Sequence, residues 1–401
     1  MIDLRAARSD PDGFRAAVAR KGAAEAFDAL LAADERWRAL VPRVDELRGR
    51  LKLKGKPTPE QLEELNRVKE ELRTAEEELT AAEAERDRLL EQVPNPPDPS
   101  SPDGDSDEDA EEIRRVGEQT PEGPEHTEIG RFDMERAARL SGARFGYLVG
   151  DTALLALALY RFGIDRTTAY GHVPLLPPVL VREDAMYGTG FFPTERSNIY
   201  SLADDDLYLT GTSEVALAGL HMDEILDELP LRYSAFSTCF RRESGAAGKD
   251  TRGMFRVHQF NKVEMFVYCE PAAARDEHDR LLAIEEEIVA ALGIPYRVVN
   301  VAAGDLGAPA AKKYDSEGWF PHQQRYREIT STSNTTDYQA RRLGIRYRPE
   351  GQKGTEFAAT LNGTAVTDRF VLAILENFRG DVPDVLQALG APPAIRRGQA
   401  G

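Results

Sequence analysis

The sequence predicts an α+β protein: an antiparallel sheet with flanking helices, preceded by an antiparallel coiled-coil hairpin of two long helices. Two observations carry this. Apolar residues recur at heptad spacing between about residues 27 and 93. Beyond residue 115, strand-like and helical runs follow one another without strict βαβ alternation, which favours an antiparallel sheet over a doubly wound parallel one.

The first heptad run sets Leu30, Trp37, Val44 and Leu51 in register, with Ala33, Leu40 and Leu47 between them. The second does the same with Leu65, Leu72, Leu79 and Val93, interleaved with Val68, Ala75, Ala82 and Leu89. Between them lies Lys54-Gly55-Lys56-Pro57-Thr58-Pro59, a turn whose Thr58 suits an N-cap for the second helix. Two such helices form an arm about 40–50 Å long at 1.5 Å per residue. Prolines then accumulate from Pro94 to Pro102, and acidic residues from Asp98 to Glu112. Proline removes a donor and fixes φ, so residues 98–115 read as an acidic, Pro-rich linker. Residues 1–97 then form an N-terminal domain carrying the arm, and residues 116–401 the main domain. In the latter, Val179–Val181, Leu207–Leu209 and Met265–Tyr268 are strand-like, while Asp133–Leu140, Ala153–Phe162 and Pro271–Leu292 are helical.

The formal net charge of −18 argues naively against a nucleic-acid partner, but the charge is segregated along the chain. The acidic run inflates the sum, whereas Arg43, Arg48, Arg50, Lys52, Lys54 and Lys56 follow one another at the end of the first arm helix without an acidic neighbour after Glu46. That cluster at the arm's tip is the candidate phosphate contact. Cys239 and Cys269 have no C-x-x-C spacing and read as small buried residues. No apolar run approaches a membrane span, and the N-terminus lacks a signal-peptide layout, so the expected location is the cytoplasm.

The most informative segment is Phe240–Phe266, two strand-forming runs around a loop rich in Gly, Ser, Ala, Lys and Asp. Counting by twos, Arg241 and Glu243 share one face of the first run, and Arg256, His258, Phe260, Lys262 and Glu264 one face of the second. Arginines, carboxylates and a phenylalanine on one face do not make an ordinary core. They suit a ligand with phosphates, an aromatic ring and an ammonium group, which describes ATP with an amino acid. No Walker-type loop is present, so the nucleotide would be held by side chains on a sheet.

This segment resembles motif 2 of the class II aminoacyl-tRNA synthetases in the form used by bacterial seryl-tRNA synthetases. Gly171–Pro178 resembles motif 1, Thr212-Ser213-Glu214 the T-x-E loop, and Leu361–Thr364 with Arg369 and Ile374–Asn377 motif 3. Glu328–Ser331 with Gln339–Arg342 resembles the segment before motif 3. The resemblance implies attack of the serine carboxylate on the α-phosphorus of ATP, then transfer of serine to serine tRNA, with selenocysteine tRNA as a further acceptor. It implies that Arg241 bridges the α-phosphate and the serine carboxylate, with Arg242 beside it. Glu243 would accept from the adenine amine, Phe260 stack on the ring, Val257 offer backbone, Arg256 hold the γ-phosphate and Arg369 cover the other adenine face. Glu328, Ile329, Thr330 and Ser331 would line the nucleotide, with Glu328 and Ser331 as Mg²⁺ ligands. Serine would lie among Thr212, Ser213, Glu214, Glu264 and Thr364. The loop Ser244–Gly253, through Lys249 and Arg252, would order over ATP and grip the tRNA acceptor end, and His258 would serve structure rather than catalysis. A homodimer follows from motif 1. One alternative stays open: a paralogue that hands activated serine to a carrier protein or a biosynthetic pathway, which a short arm would suit.

Overall fold

The structure, a computed structural model, describes residues 1–52, 58–244, 250 and 253–395. The chain divides into two compact units, Met1–Pro96 and Pro97–Gly401.

In the first unit, α1 (Leu4–Ser9) and α2 (Pro11–Ala19) precede two long helices, α3 (Ala24–Arg50) and α4 (Pro59–Gln92). The heptad pattern meets as expected: Val44, Leu47, Val68 and Ala75 are buried together, with Leu51, Leu72 and Leu79 packed against them. Trp37 is only partly covered, its ring lying 4.1 Å from the Arg86 guanidinium carbon. One seam-side residue is not apolar. Asp34 is fully buried and takes a bidentate pair from Arg8, at 2.8 Å on each oxygen, and a third bond from Arg38. Thr58 caps α4 with a capping box: its hydroxyl accepts from the Gln61 amide and Gln61 Oε1 accepts from the Thr58 amide.

In the second unit, an eight-stranded sheet runs β1-β5-β6-β7-β8-β4-β3-β2. The strands are β1 (Glu111–Val116), β2 (Val173–Leu175), β3 (Leu231–Phe240), β4 (Gln259–Cys269), β5 (Tyr296–Asn300), β6 (Lys312–Phe320), β7 (Arg325–Asn334) and β8 (Ala359–Thr367). All neighbours are antiparallel except β2 and β3, which are parallel at one edge. Helices α5 (Asp151–Ala169), α6 (Ala274–Ala291) and α7 (Asp368–Phe378) supply Leu155, Leu159, Leu281, Ile288, Phe370 and Val371 to the large core. From β4, Val263, Met265, Val267 and Cys269 point into that core, so alternation sends Lys262 and Glu264 to the opposite face.

The expected helices are present with shifted ends, at Met134–Ser141 and in α5 and α6. The short strands Leu180–Val181 and Tyr208–Leu209 pair in a separate small sheet. The linker needs correction: Glu111–Val116 is the edge strand β1, paired with β5. All six of its side chains are exposed and most are charged, so no apolar alternation marks it, and its charges suit an unpaired sheet edge. The run of shared faces in Phe240–Phe266 also needs correction. The strands stop at Phe240 and begin at Gln259, leaving Arg241, Glu243, Arg256 and His258 outside the ladder, with Glu243 at φ 51°.

Thr58→Ala removes the hydroxyl side of the capping box and should cost the start of α4 about 1 kcal/mol. The expected readout is faster amide hydrogen exchange in the turn after Pro59. Unchanged exchange there would show that packing alone holds this helix end.

Candidate active site

Two bulges shape the floor of the site. In β7, Thr330 pairs with Ser316 and Glu328 with Glu317, leaving Ile329 as the extra residue. In β8, Thr364 pairs with Glu264 and Val366 with Val263, leaving Ala365 extra. A bulge shifts the pleat by one residue. Glu328 and Ser331, three apart, therefore line one cavity, as do Thr364 and Thr367, while Ile329, Ala365 and Val366 go to the core.

That cavity, open to solvent and about 660 Å³ with its mouth included, lies between Arg241, Glu243, Arg256, Val257, Phe260, Glu328 and Arg369. A second cavity of about 800 Å³ lies among Thr212, Glu214, Glu264, Ser333 and Asn362. Arg241, Lys262 and Ser331 line both. Arg241 is held in place by its own strand end: its Nε donates to the Gly211 carbonyl at 3.1 Å, and its guanidinium carbon lies 5.1 Å from the Phe260 ring centroid. His258 fixes the backbone beneath it, Nδ1 lying 2.9 Å from the Arg241 carbonyl while the Arg241 amide donates to the His258 carbonyl at 3.0 Å.

The charges compensate one another. Arg256 pairs with Glu243 at 2.5 Å, Arg327 takes Asp250 in a bidentate pair at 2.7 and 3.1 Å, and Arg369 reaches the Glu328 carbonyl at 2.8 Å and its carboxylate at 3.3 Å. Desolvation would raise the Glu328 carboxyl, but Arg369, Lys313 and Arg241 outweigh it and hold the group well below the usual carboxylate range. In the second cavity, Lys262 is buried, forms an ion pair with Glu264 and donates to Thr212 Oγ1 at 2.7 Å. Glu214 accepts from Gln339 at 2.7 Å and Asn362 at 3.0 Å, yet desolvation and the neighbouring Glu264 push its carboxyl up to about 7. Desolvation also raises Glu264, against the pull of Lys262.

Residues 198–378 match the family described as tRNA synthetase class II core domain (G, H, P, S and T), and residues 1–97 that described as seryl-tRNA synthetase N-terminal domain. The serine--tRNA ligase of Thermobifida fusca is 48% identical over 99% of this chain and 97% of its own. That of Nocardia farcinica is 49% identical over 94% of each. The chain belongs to the seryl-tRNA synthetases. Among solved structures, the seryl-tRNA synthetase of Pyrococcus horikoshii, complexed with ATP, is 37% identical with a TM-score of 0.91, covering 98% of this chain and 99% of that one.

Against this synthetase frame, the sequence-derived residues fall into three groups. Arg241, Glu243, Arg256, Val257, Phe260, Glu328, Ile329, Thr330, Ser331, Thr364 and Arg369 line the first cavity, and Thr212, Glu214 and Glu264 the second. Arg242 lines neither cavity, and the side chains of Ile329 and Thr330 make their contacts away from the first one. Arg242 places its guanidinium carbon 5.5 Å from the Tyr200 ring, Ile329 packs in the core, and Thr330 donates to Glu285 at 2.8 Å. Ser213 is buried at the start of the helix Glu214–Ala218. In the arm, Arg43, Arg48 and Arg50 pair with Glu78, Glu76 and Glu64 of α4 at 3.2, 2.8 and 2.7 Å. The stretch is basic along the chain but not in space, because antiparallel packing brings the acidic face of α4 across from it. Lys52 is exposed, and Lys54, Lys56, Lys249 and Arg252 lie outside the described residues. Sequence reading gave no role to Lys262, Gln339 or Asn362. For Lys262 the signal was present, since it falls on the same alternating face as Phe260 and Glu264.

Glu264→Gln should lower the Glu214 titration midpoint from about 7, because it removes a like charge and leaves the Lys262 cation uncompensated. Carboxyl carbon shifts of ¹³C-labelled glutamate measure this directly. An unmoved midpoint would mean that desolvation alone sets the value.

Proposed function

We propose that the chain activates L-serine with ATP as seryl-adenylate and transfers the seryl group to serine tRNA. The observation that carries this is Arg241, which lines both the arginine-rich first cavity and the acidic second one. A carboxylate attacking an α-phosphate joins two anions, and a planar, permanently charged donor between the cavities suits that meeting point. Phe260 offers a ring platform for adenine, with Arg369 across the cavity. Glu243 and Arg256, paired with each other, would part to meet the adenine amine and the γ-phosphate. Glu214 and Glu264 suit the ammonium and hydroxyl of serine, with Thr212 and Thr364 beside them. A substrate hydroxyl recognised by buried polar groups discriminates strongly against alanine, which would leave them unpaired.

Glu328 and Ser331 offer two hard oxygen donors on one face of β7, and Glu328 is held ionised. That fits Mg²⁺, which takes few protein ligands and completes its shell with phosphate oxygens and water. Its chemistry there would be charge neutralisation of the triphosphate.

The match of residues 1–97 to the seryl-tRNA synthetase N-terminal domain favours tRNA over a carrier protein as acceptor. The arm's exposed arginine–glutamate pairs are individually weak, so phosphate can compete for those arginines. A homodimer is supported by Leu154, Leu157, Val173 and Leu176, which remain 47, 62, 53 and 83% exposed on α5 and around β2. No described helix is long and apolar enough to cross a membrane.

Arg241→Ala should lower serine-dependent ATP–pyrophosphate exchange by at least about 10²–10³-fold without changing the fold. Substantial retained exchange would remove Arg241 from the reacting centre. Replacing residues 40–68 by a short turn should spare exchange and cripple tRNA charging. Equal loss of both would show that the arm supports the catalytic unit itself.

A further inference from the structure

Glu285 is a buried carboxyl to which the mechanism above gives no role. Glu285 lies on α6, on the helix-covered side of the sheet, and is fully buried. Its position coincides with an interruption of the sheet. The β7–β8 ladder holds only Thr332↔Gly363, Ser333↔Asn362 and Asn334↔Leu361. Beyond Thr332 and Gly363, both strands enter their bulges and the pairing ends, just before the residues that face the substrates. Two strands that part inside a protein leave backbone and side-chain donors without ladder partners.

Glu285 stands in that gap. Its Oε2 accepts from Thr330 Oγ1 of β7 at 2.8 Å, while its Oε1, a buried acceptor with no hydrogen-bond partner among the described residues, lies on the β8 side at Gly363. Gly363 makes room for it: a Cβ there would lie 3.1 Å from Glu285 Oε1 and 3.2 Å from Thr332 Oγ1. One carboxyl thus bonds β7 one residue before Ser331 and packs against β8 at Gly363, next to Thr364, the residue paired with Glu264.

We propose that Glu285 is a positioning residue for amino-acid recognition, bridging the parted strands β7 and β8 from behind so that Thr364 is held against Glu264. It acts in place of the missing ladder bonds and touches neither substrate. Desolvation pushes its carboxyl well above the usual range, as suits a neutral acid in an apolar layer, with Glu264 and Asp315 adding to the shift. An amide of the same shape keeps an oxygen that accepts from Thr330, so glutamine can replace it.

This rests on the serine-activating reading above. Three variants test it: Glu285→Ala, Glu285→Gln, and Thr330→Val, which keeps Glu285 but removes its hydroxyl donor. In pyrophosphate exchange, Glu285→Ala should raise the serine KM about tenfold or more, with the ATP KM within about twofold of the parent. Glu285→Gln should restore the serine KM to within about twofold, and Thr330→Val should raise it by a smaller factor than Ala. Hydrogen exchange supplies a readout independent of activity: amides of residues 364–366 should exchange faster in Glu285→Ala than in the parent or in Glu285→Gln. An unchanged serine KM with unchanged exchange in Glu285→Ala overturns the proposal. So does a folded Glu285→Gln as impaired as the alanine variant. If Glu285→Ala does not fold, Glu285→Gln and Thr330→Val decide it by the same measures. A parent chain without serine-dependent exchange would overturn the functional reading, and the 364–366 amides would still decide whether Glu285 bridges the strands.

Discussion

Strand β4 is the constraint on which the rest depends. Every residue from Lys262 to Cys269 is buried, so each backbone group must be satisfied by β3 on one side and β8 on the other. That pairing fixes its register against both neighbours. The register in turn sets Glu264 opposite Thr364 and places Phe260 beneath Arg241 at the strand end. The core side of β4 is apolar and locks into three helices, and this leaves the other face free to carry charge.

Charge is the second organising problem. Two substrates that are both anionic at the reacting groups demand cations, and a cluster of cations with no ligand present demands compensation. The chain supplies it internally, through Glu243 on Arg256, Asp250 on Arg327, Glu328 on Arg369 and Glu264 on Lys262. Each pair is one that a phosphate, adenine or ammonium group can exchange into. Removing water from charges is costly, and preformed partners spare the apo site most of that cost. On the proposed function, substrates substitute for these ion pairs, which ties affinity to how firmly each arginine and carboxylate is held by the backbone behind it.

Much of this was legible along the chain. The heptads of α3 and α4, the Thr58 cap, the antiparallel character of the sheet and the anchors Arg241, Glu243 and Glu264 follow from residue type and local spacing, and Arg369 from the resemblance to motif 3. Period and capping are local properties, and a motif of charged residues is visible wherever it stands. The edge strand β1 was not legible, because its exposed charged residues carry no alternation and only pairing with β5 makes it a strand. Asp34 gave no sign that a carboxylate would be buried in the helical unit, since its partner Arg8 comes from a different helix.

The sequence by itself determined the two-helix arm, the fold class and the identity of the groups that can meet a phosphate, an ammonium and an adenine ring. Tertiary structure alone decided which of them converge. The bulges at Ile329 and Ala365 turn residues three apart onto one face, against the period-two pattern that sequence reading must assume. Antiparallel packing of α3 on α4 converts a basic run into ion pairs. Glu285 reaches a gap between two strands that are distant from it in sequence. Bulges, cross-helix pairs and buried bridges arise from contacts between remote segments, and no local pattern encodes where those contacts fall.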